Sequence, residues 1–85
     1  MHPCRFSVTL RSPHARILCE ALRPEVGPLP GGRSAADVGC SGEALRLEIE
    51  SDDTVAMRAA ANSFLRWISA MEKSLGEIEA FTRRE

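Results

Sequence analysis

The sequence is poor in cysteine, almost without lysine, and without an excess of charge of either sign. Its 85 residues hold three cysteines, Cys4, Cys19 and Cys40. They are odd in number and widely spaced, with no C-x-x-C pair, which excludes a disulfide framework. His2 and His14 stand in no ligand spacing, so neither a metal site nor any other cofactor is expected. The three thiols are expected to be buried in a reducing cytoplasm. Basic residues number 11 and acidic residues 12, for a net charge of -1. That balance excludes a broad basic surface for non-specific nucleic-acid binding, though not a local basic strip. Lys73 is the single lysine and the other basic residues are arginines, whose forks suit carboxylates and phosphates. No apolar run approaches the ~20 residues of a membrane span, and the N-terminus lacks the apolar stretch of a leader. A cytoplasmic protein without a membrane partner is expected. There is no internal repeat and no low-complexity segment.

What remains is ordinary globular material, 44 % apolar and 27 % charged. This is too apolar for disorder and short enough for one domain over residues 1–85. A core this small needs reinforcement. With no disulfide or metal to supply it, oligomerisation is the expected remedy.

Residues Cys4 to Leu10 alternate strictly, with Cys4, Phe6, Val8 and Leu10 on one face, the mark of a half-buried strand. Ser12 and Pro13 then make a helix cap and a first helical residue. Ile17, Leu18, Ala21 and Leu22 recur at helical spacing, over about three turns that must end near Arg23, before Pro24. Residues 24–32, rich in proline and glycine, read as a loop. A weaker strand over Ser34–Cys40 places Ala36, Val38 and Cys40 on one face. Turn residues follow from Gly39 to Glu43. Ala44–Glu50 is a clear strand, with Leu45, Leu47 and Ile49 on one side. The short turn makes these two strands an antiparallel hairpin. Ser51, Asp52 and Asp53 open a long proline-free helix of about 28 residues. Its stripe Met57, Ala61, Phe64, Ile68, Met71, Leu75, Ile78 steps by four and three throughout. The expected fold is α+β: a three-stranded antiparallel sheet with two helices on one face, in the order β-α-β-β-α.

A helix of that length spans roughly 42 Å, whereas seven-residue strands span about 23 Å. The apolar stripe therefore outruns the sheet, leaving Met71, Leu75, Ile78 and Phe81 partly bare in a lone chain. Beside it runs a flank of small residues with two aromatics: Ala60, Ser63, Trp67, Ala70, Ser74 and Phe81. Small residues admit a close-packed helix and aromatics anchor interfaces, so this flank, with Met71, is the candidate partner-binding face. The competing account is that Trp67 completes the chain's own core.

No catalytic constellation is present. Asp52 and Asp53 are adjacent and do not converge on one substrate, and helix capping accounts for them. His14 has no acid in fixed geometry nearby, and Cys19 has no paired base. The glycines at 27, 31 and 32 lack the Lys-Ser/Thr of a phosphate loop. Arg58 and Arg66 lie on the polar half of the long helix. With Arg83 and Arg84 near its end they are candidate RNA-binding residues; solvated surface charges are the simpler account.

Two stretches, ALRPE at residues 21–25 and DDTVAMRAAANSFLRWI at 52–68, resemble the Pcc family of KEOPS complex subunits. The match falls on Arg58, Ala59, Asn62, Ser63, Leu65, Arg66 and Trp67, and the element order resembles that family from end to end. Met57 replaces the commoner Leu, and Ser51 a common Ala. The resemblance implies a non-enzymatic subunit that forms a dimer with itself or with a paralogue. Such a dimer joins two copies of the transferase subunit, a protein of ASKHA fold, in an assembly that makes threonylcarbamoyladenosine at position 37 of tRNA. It implies further that the subunit helps hold the tRNA. Pairing of exposed sheet edges would join two such sheets into one of six strands.

Other classes fit less well. A free-standing RNA-binding domain of KH-like shape should carry G-x-x-G between helices, whereas Gly39-Cys40-Ser41-Gly42 falls between strands. An enzyme would need a cleft with convergent acid, base or nucleophile. A transcription factor, the family's older label, would need a recognised DNA-binding motif, and none is visible.

Overall fold

The computed structural model describes residues 2–84, with side chains through residue 80. Strand β1 (Cys4–Arg11) leads into helix α1 (Ala15–Leu22), which tightens into a 3₁₀ turn over Arg23–Glu25. A two-residue strand β2 (Gly27–Pro28) follows, then the hairpin β3 (Ser34–Ser41) and β4 (Ala44–Ser51), and finally helix α2 (Thr54–Arg84). The strands form one antiparallel sheet in the order β1-β4-β3-β2.

The expected two-layer α+β arrangement is present, but the sheet has four strands, not three. The added strand lies in the stretch expected to be a loop: Gly27 pairs with Ala36 and Pro28 with Ala35. Proline is tolerated there because β2 is an edge strand, whose outward side needs no N–H donor. Gly27 reaches a φ of 109°, which favours glycine.

Other boundaries move for local reasons. β3 runs through Ser41, so the hairpin turn is only Gly42 and Glu43, with Gly42 at a φ of 60°. A positive φ at the first of two turn residues matches the right-handed twist of the flanking strands. Ser12 is not the cap of α1: the helix begins at Ala15 with His14 at the cap position and no side-chain cap bond, and the Ser12 Oγ accepts instead from the His14 amide at 2.9 Å within the turn before the helix. With eight residues, α1 is shorter than the three turns expected. Ser51 ends β4 rather than opening α2. The cap of α2 is Asp53, whose Oδ1 accepts from the Ala56 amide at 2.8 Å and whose carboxylate pairs with Arg33.

The core lies between the sheet and the two helices. Leu45, Leu47 and Ile49 of the central strand are completely buried, packed with Leu18 and Leu22 from α1 and Ala61, Phe64 and Ile68 from α2. The alternation seen in β1 and β4 is the observed one, but burial is graded across the sheet. In β1, Phe6, Val8 and Leu10 are only half-buried. The cysteines differ from expectation: Cys19 is buried, Cys4 is half-buried and Cys40 is exposed. Cys40 occupies the inward register opposite Leu45, but β2 pairs only with Ala35 and Ala36, so this end of β3 is an open sheet edge, and Ser41 beside it is exposed as well. Burial, and then the neighbouring Cys40 thiol, push the Cys19 thiol above its ordinary pKa.

Candidate interaction surface

Helix α2 presents three faces, and the residues picked out from the sequence divide among them. The inward stripe fades along its length: Phe64 and Ile68 are buried, Met71 and Leu75 half-buried, and Ile78 is 62 % exposed. The molecule measures 50 Å along its longest axis against 21 and 18 Å across, consistent with a helix of about 46 Å overhanging the sheet.

The small-residue flank borders two grooves. The first, of about 390 Å³, lies between the first half of α2 and the segment carrying Leu29, Pro30 and Arg33; Ala60, Ser63 and Trp67 line it. The second, of about 280 Å³, lies between α1 and the second half of α2; Ile17, Ala70, Met71 and Ser74 line it. Trp67 stands where the two halves meet. It is 42 % exposed, and its ring meets Phe64 edge-on at 5.2 Å and 63°. It therefore leans on the core without being enclosed by it. Ala60, by contrast, is 8 % exposed and belongs as much to the core as to the flank. Phe81 lies outside the described side chains, as do Arg83 and Arg84.

The third face is basic. Arg58 and Arg66 are exposed and, among the described residues, join no ion pair. The sequence reading missed Lys73. At 3.6 residues per turn it falls within about 80° of arc with these two arginines, on a ridge about 22 Å long. The signal was available in the helical spacing of positions 58, 66 and 73.

A polar cluster joins the overhang to the start of α1. The His14 ring places Nδ1 at 2.8 Å from Glu72 Oε1 and Nε2 at 3.1 Å from Glu79 Oε2. The Ser12 hydroxyl donates to Glu72 Oε2 at 2.6 Å. The hydrogen bonds to Glu72 and then Glu79 hold the ring above its ordinary pKa of 6.5. Ser12 first and His14 second hold the Glu72 carboxyl below its ordinary 4.5. Among the described residues no group of His, Cys, Asp and Glu is arranged to hold a metal ion. No described helix is long and apolar enough to cross a membrane.

Comparison with known proteins adds two findings. A family model described as "Transcription factor Pcc1" matches residues 3–76. The KEOPS complex subunit Pcc1 of Pyrococcus abyssi (strain GE5 / Orsay) is 45 % identical to this chain over 54 residues. That alignment covers 64 % of this chain and 66 % of the relative.

Proposed function

The chain belongs to the Pcc1 family, and from that membership we propose that it is a non-catalytic dimerisation subunit of a KEOPS complex. In this reading it bridges two transferase subunits of ASKHA fold in the assembly that makes threonylcarbamoyladenosine in tRNA, and it acts in the cytoplasm. The observation that carries it is the open apolar flank of α2. A tryptophan 42 % exposed between two grooves, with Ala70 and Ser74 exposed beside it, is a surface suited to close helix packing.

The dimer would form through β1. It is the long edge of the sheet, eight residues with unpaired backbone groups on its outer side, and its apolar face is only half-covered. The opposite edge is blunted by β2, so the four-stranded sheet favours β1 over β3 as the pairing strand. Two four-stranded sheets would then join, in place of the six-stranded sheet that three strands would allow. The ridge of Arg58, Arg66 and Lys73 would meet phosphates of tRNA once partners add their own charge. At a net charge of -1 the chain alone binds RNA weakly and with strong salt dependence.

The test is Ala70→Glu. Ala70 is exposed, so the variant keeps its fold and its dimer, seen as unchanged circular dichroism and light scattering. A charge forced into a close-packed contact costs several kcal/mol, enough to abolish a micromolar complex, so capture of the transferase subunit is lost. Normal capture by a folded variant would place the interface elsewhere. Arg66→Glu separates the roles: it weakens tRNA binding by the assembled complex and leaves the dimer intact.

A further inference from the structure

Cys19 and Cys40 belong to different elements, but the fold makes their thiols neighbours. Cys19 lies with Ala15, Leu18 and Leu22 on the buried face of α1, and α1 rests on β3 and β4. Cys40 occupies the inward side of β3, opposite Leu45, which belongs to the core cluster with Cys19. Both are free thiols, and they differ in access: Cys19 is 4 % exposed, whereas Cys40 is open to solvent at the uncovered end of β3. Cys4 does not compete as a partner. It stands opposite Ser51 of β4, while Cys40 stands opposite Leu45, six residues along that strand and so about 20 Å away.

An accessible thiol beside an enclosed one divides the two steps of a thiol–disulfide exchange between them. We propose that Cys40 and Cys19 form a reversible redox pair that reacts with low-molecular-weight disulfides of the glutathione type, Cys40 as the attacking thiol and Cys19 as the resolving one. The Cys40 thiolate attacks one sulfur of the small disulfide; a mixed disulfide forms, the old S–S bond breaks, and one small thiol leaves. Cys19 then gives its proton to solvent and attacks the Cys40 sulfur, expelling the second small thiol as a thiolate that takes up a proton. In sum the two cysteines lose two hydrogens and the small disulfide gains them. Burial, and then the Cys40 thiol, hold the Cys19 proton more tightly than usual, so Cys19 does not begin the reaction. It acts on a sulfur already seated beside it. A bridge needs Cα atoms within about 7 Å and converging side chains, and α1 resting on the inward face of β3 supplies the convergence. The bond ties the middle of α1 to the end of β3 that β2 leaves open. Disulfides of this kind in a reducing compartment are transient and redox-sensing. The pair belongs to this chain alone and holds or fails independently of any partner.

In the experiment the intact, folded chain is equilibrated with oxidised glutathione, its remaining thiols are blocked with N-ethylmaleimide, and it is digested with trypsin without reductant for mass spectrometry. Cleavage after Arg16, Arg33 and Arg46 separates Cys19, in the peptide 17–33, from Cys40, in the peptide 34–46, because the bond before Pro24 resists cleavage. The expected product is these two peptides joined to each other, without Cys4, and parted again by dithiothreitol. Cys40→Ser, an exposed and nearly isosteric change, keeps the fold by circular dichroism, loses the link and leaves Cys19 free of glutathione. Cys19→Ser stalls the reaction with one glutathione held on Cys40. The pair is overturned if the unaltered chain takes up no glutathione and forms no link, or if glutathione stays on Cys40 without a link to Cys19. It is equally overturned if Cys19 takes up glutathione in the Cys40→Ser chain, or if the joined peptides come from two chains, seen as a disulfide dimer on a non-reducing gel.

Discussion

The two halves of α2 share one continuous helix but are held by different physics. From Thr54 to Ile68 the helix is fixed by burial: Ala60, Ala61, Phe64 and Ile68 press on Leu45, Leu47 and Ile49, which no solvent reaches. From Ser69 to Ala80 the apolar stripe continues in sequence but is received only in part: Met71 and Leu75 are half-buried against the core, Ile78 is 62 % exposed, and the contacts of Glu72 and Glu79 with His14 are polar and partly exposed. Burial scales with apolar area and is insensitive to pH, whereas an exposed ion pair adds little and titrates. A periodic stripe therefore reports which face a helix turns inward, but not whether anything is there to receive it.

Truncation tests this contrast most strongly. Phe64→Ala removes a ring 1 % exposed from the centre of the core and is expected to destabilise by about 3–5 kcal/mol. For a chain this small that approaches the whole of its stability, and urea denaturation should find little folded protein. Ile78→Ala, a comparable deletion in the same stripe, is expected to change stability by less than about 0.5 kcal/mol, since Ile78 is already 62 % exposed. Similar losses at the two positions would mean that the second half is also covered.

The start of the first half rests on Asp53, which caps the helix through the Ala56 amide and pairs with Arg33. Asp53→Ala is expected to cost about 1 kcal/mol, mostly the cap, because the ion pair is exposed. Arg33→Ala in a thermal melt should cost clearly less than Asp53→Ala. If the two cost the same, the ion pair and not the cap secures the helix start.

How much of this could be read beforehand follows the same division. The alternation of Leu45, Leu47 and Ile49 and the spacing of Phe64 and Ile68 are local patterns, and they led directly to the strand, the helix and the core between them. The small-residue flank was equally visible, and its residues border the two grooves. β2 was not legible, because two residues containing a proline carry no period; its pairing is set by Ala35 and Ala36 of the neighbouring strand. Cys40 was misplaced because alternation gives the face of a strand but not the extent of the cover over it. The His14 cluster was hidden for a third reason. Its partners lie 58 and 65 residues away, and a histidine read alone in a first helical turn gives no hint of them.

The smallest expected effect on stability is the pH dependence contributed by that cluster, and its sign follows from two opposed shifts. His14 is held above its ordinary 6.5, so its contribution is fully present below about 6.5 and is lost as pH rises through the folded value. Glu72 is held below its ordinary 4.5, so its contribution is present above about 4.5 and is lost as pH falls through the folded value. Both contribute together only between those limits. The melting temperature should therefore carry a shallow maximum there, superimposed on the background of the remaining groups. The difference between wild type and His14→Gln isolates the histidine: it should be largest between about pH 4.5 and 6.5 and shrink as the pH rises beyond. Added salt should flatten it, because the carboxylates are partly exposed. A difference that grows above pH 6.5 would reverse the sign and mean that the neutral ring, not the imidazolium, is the form the overhang prefers.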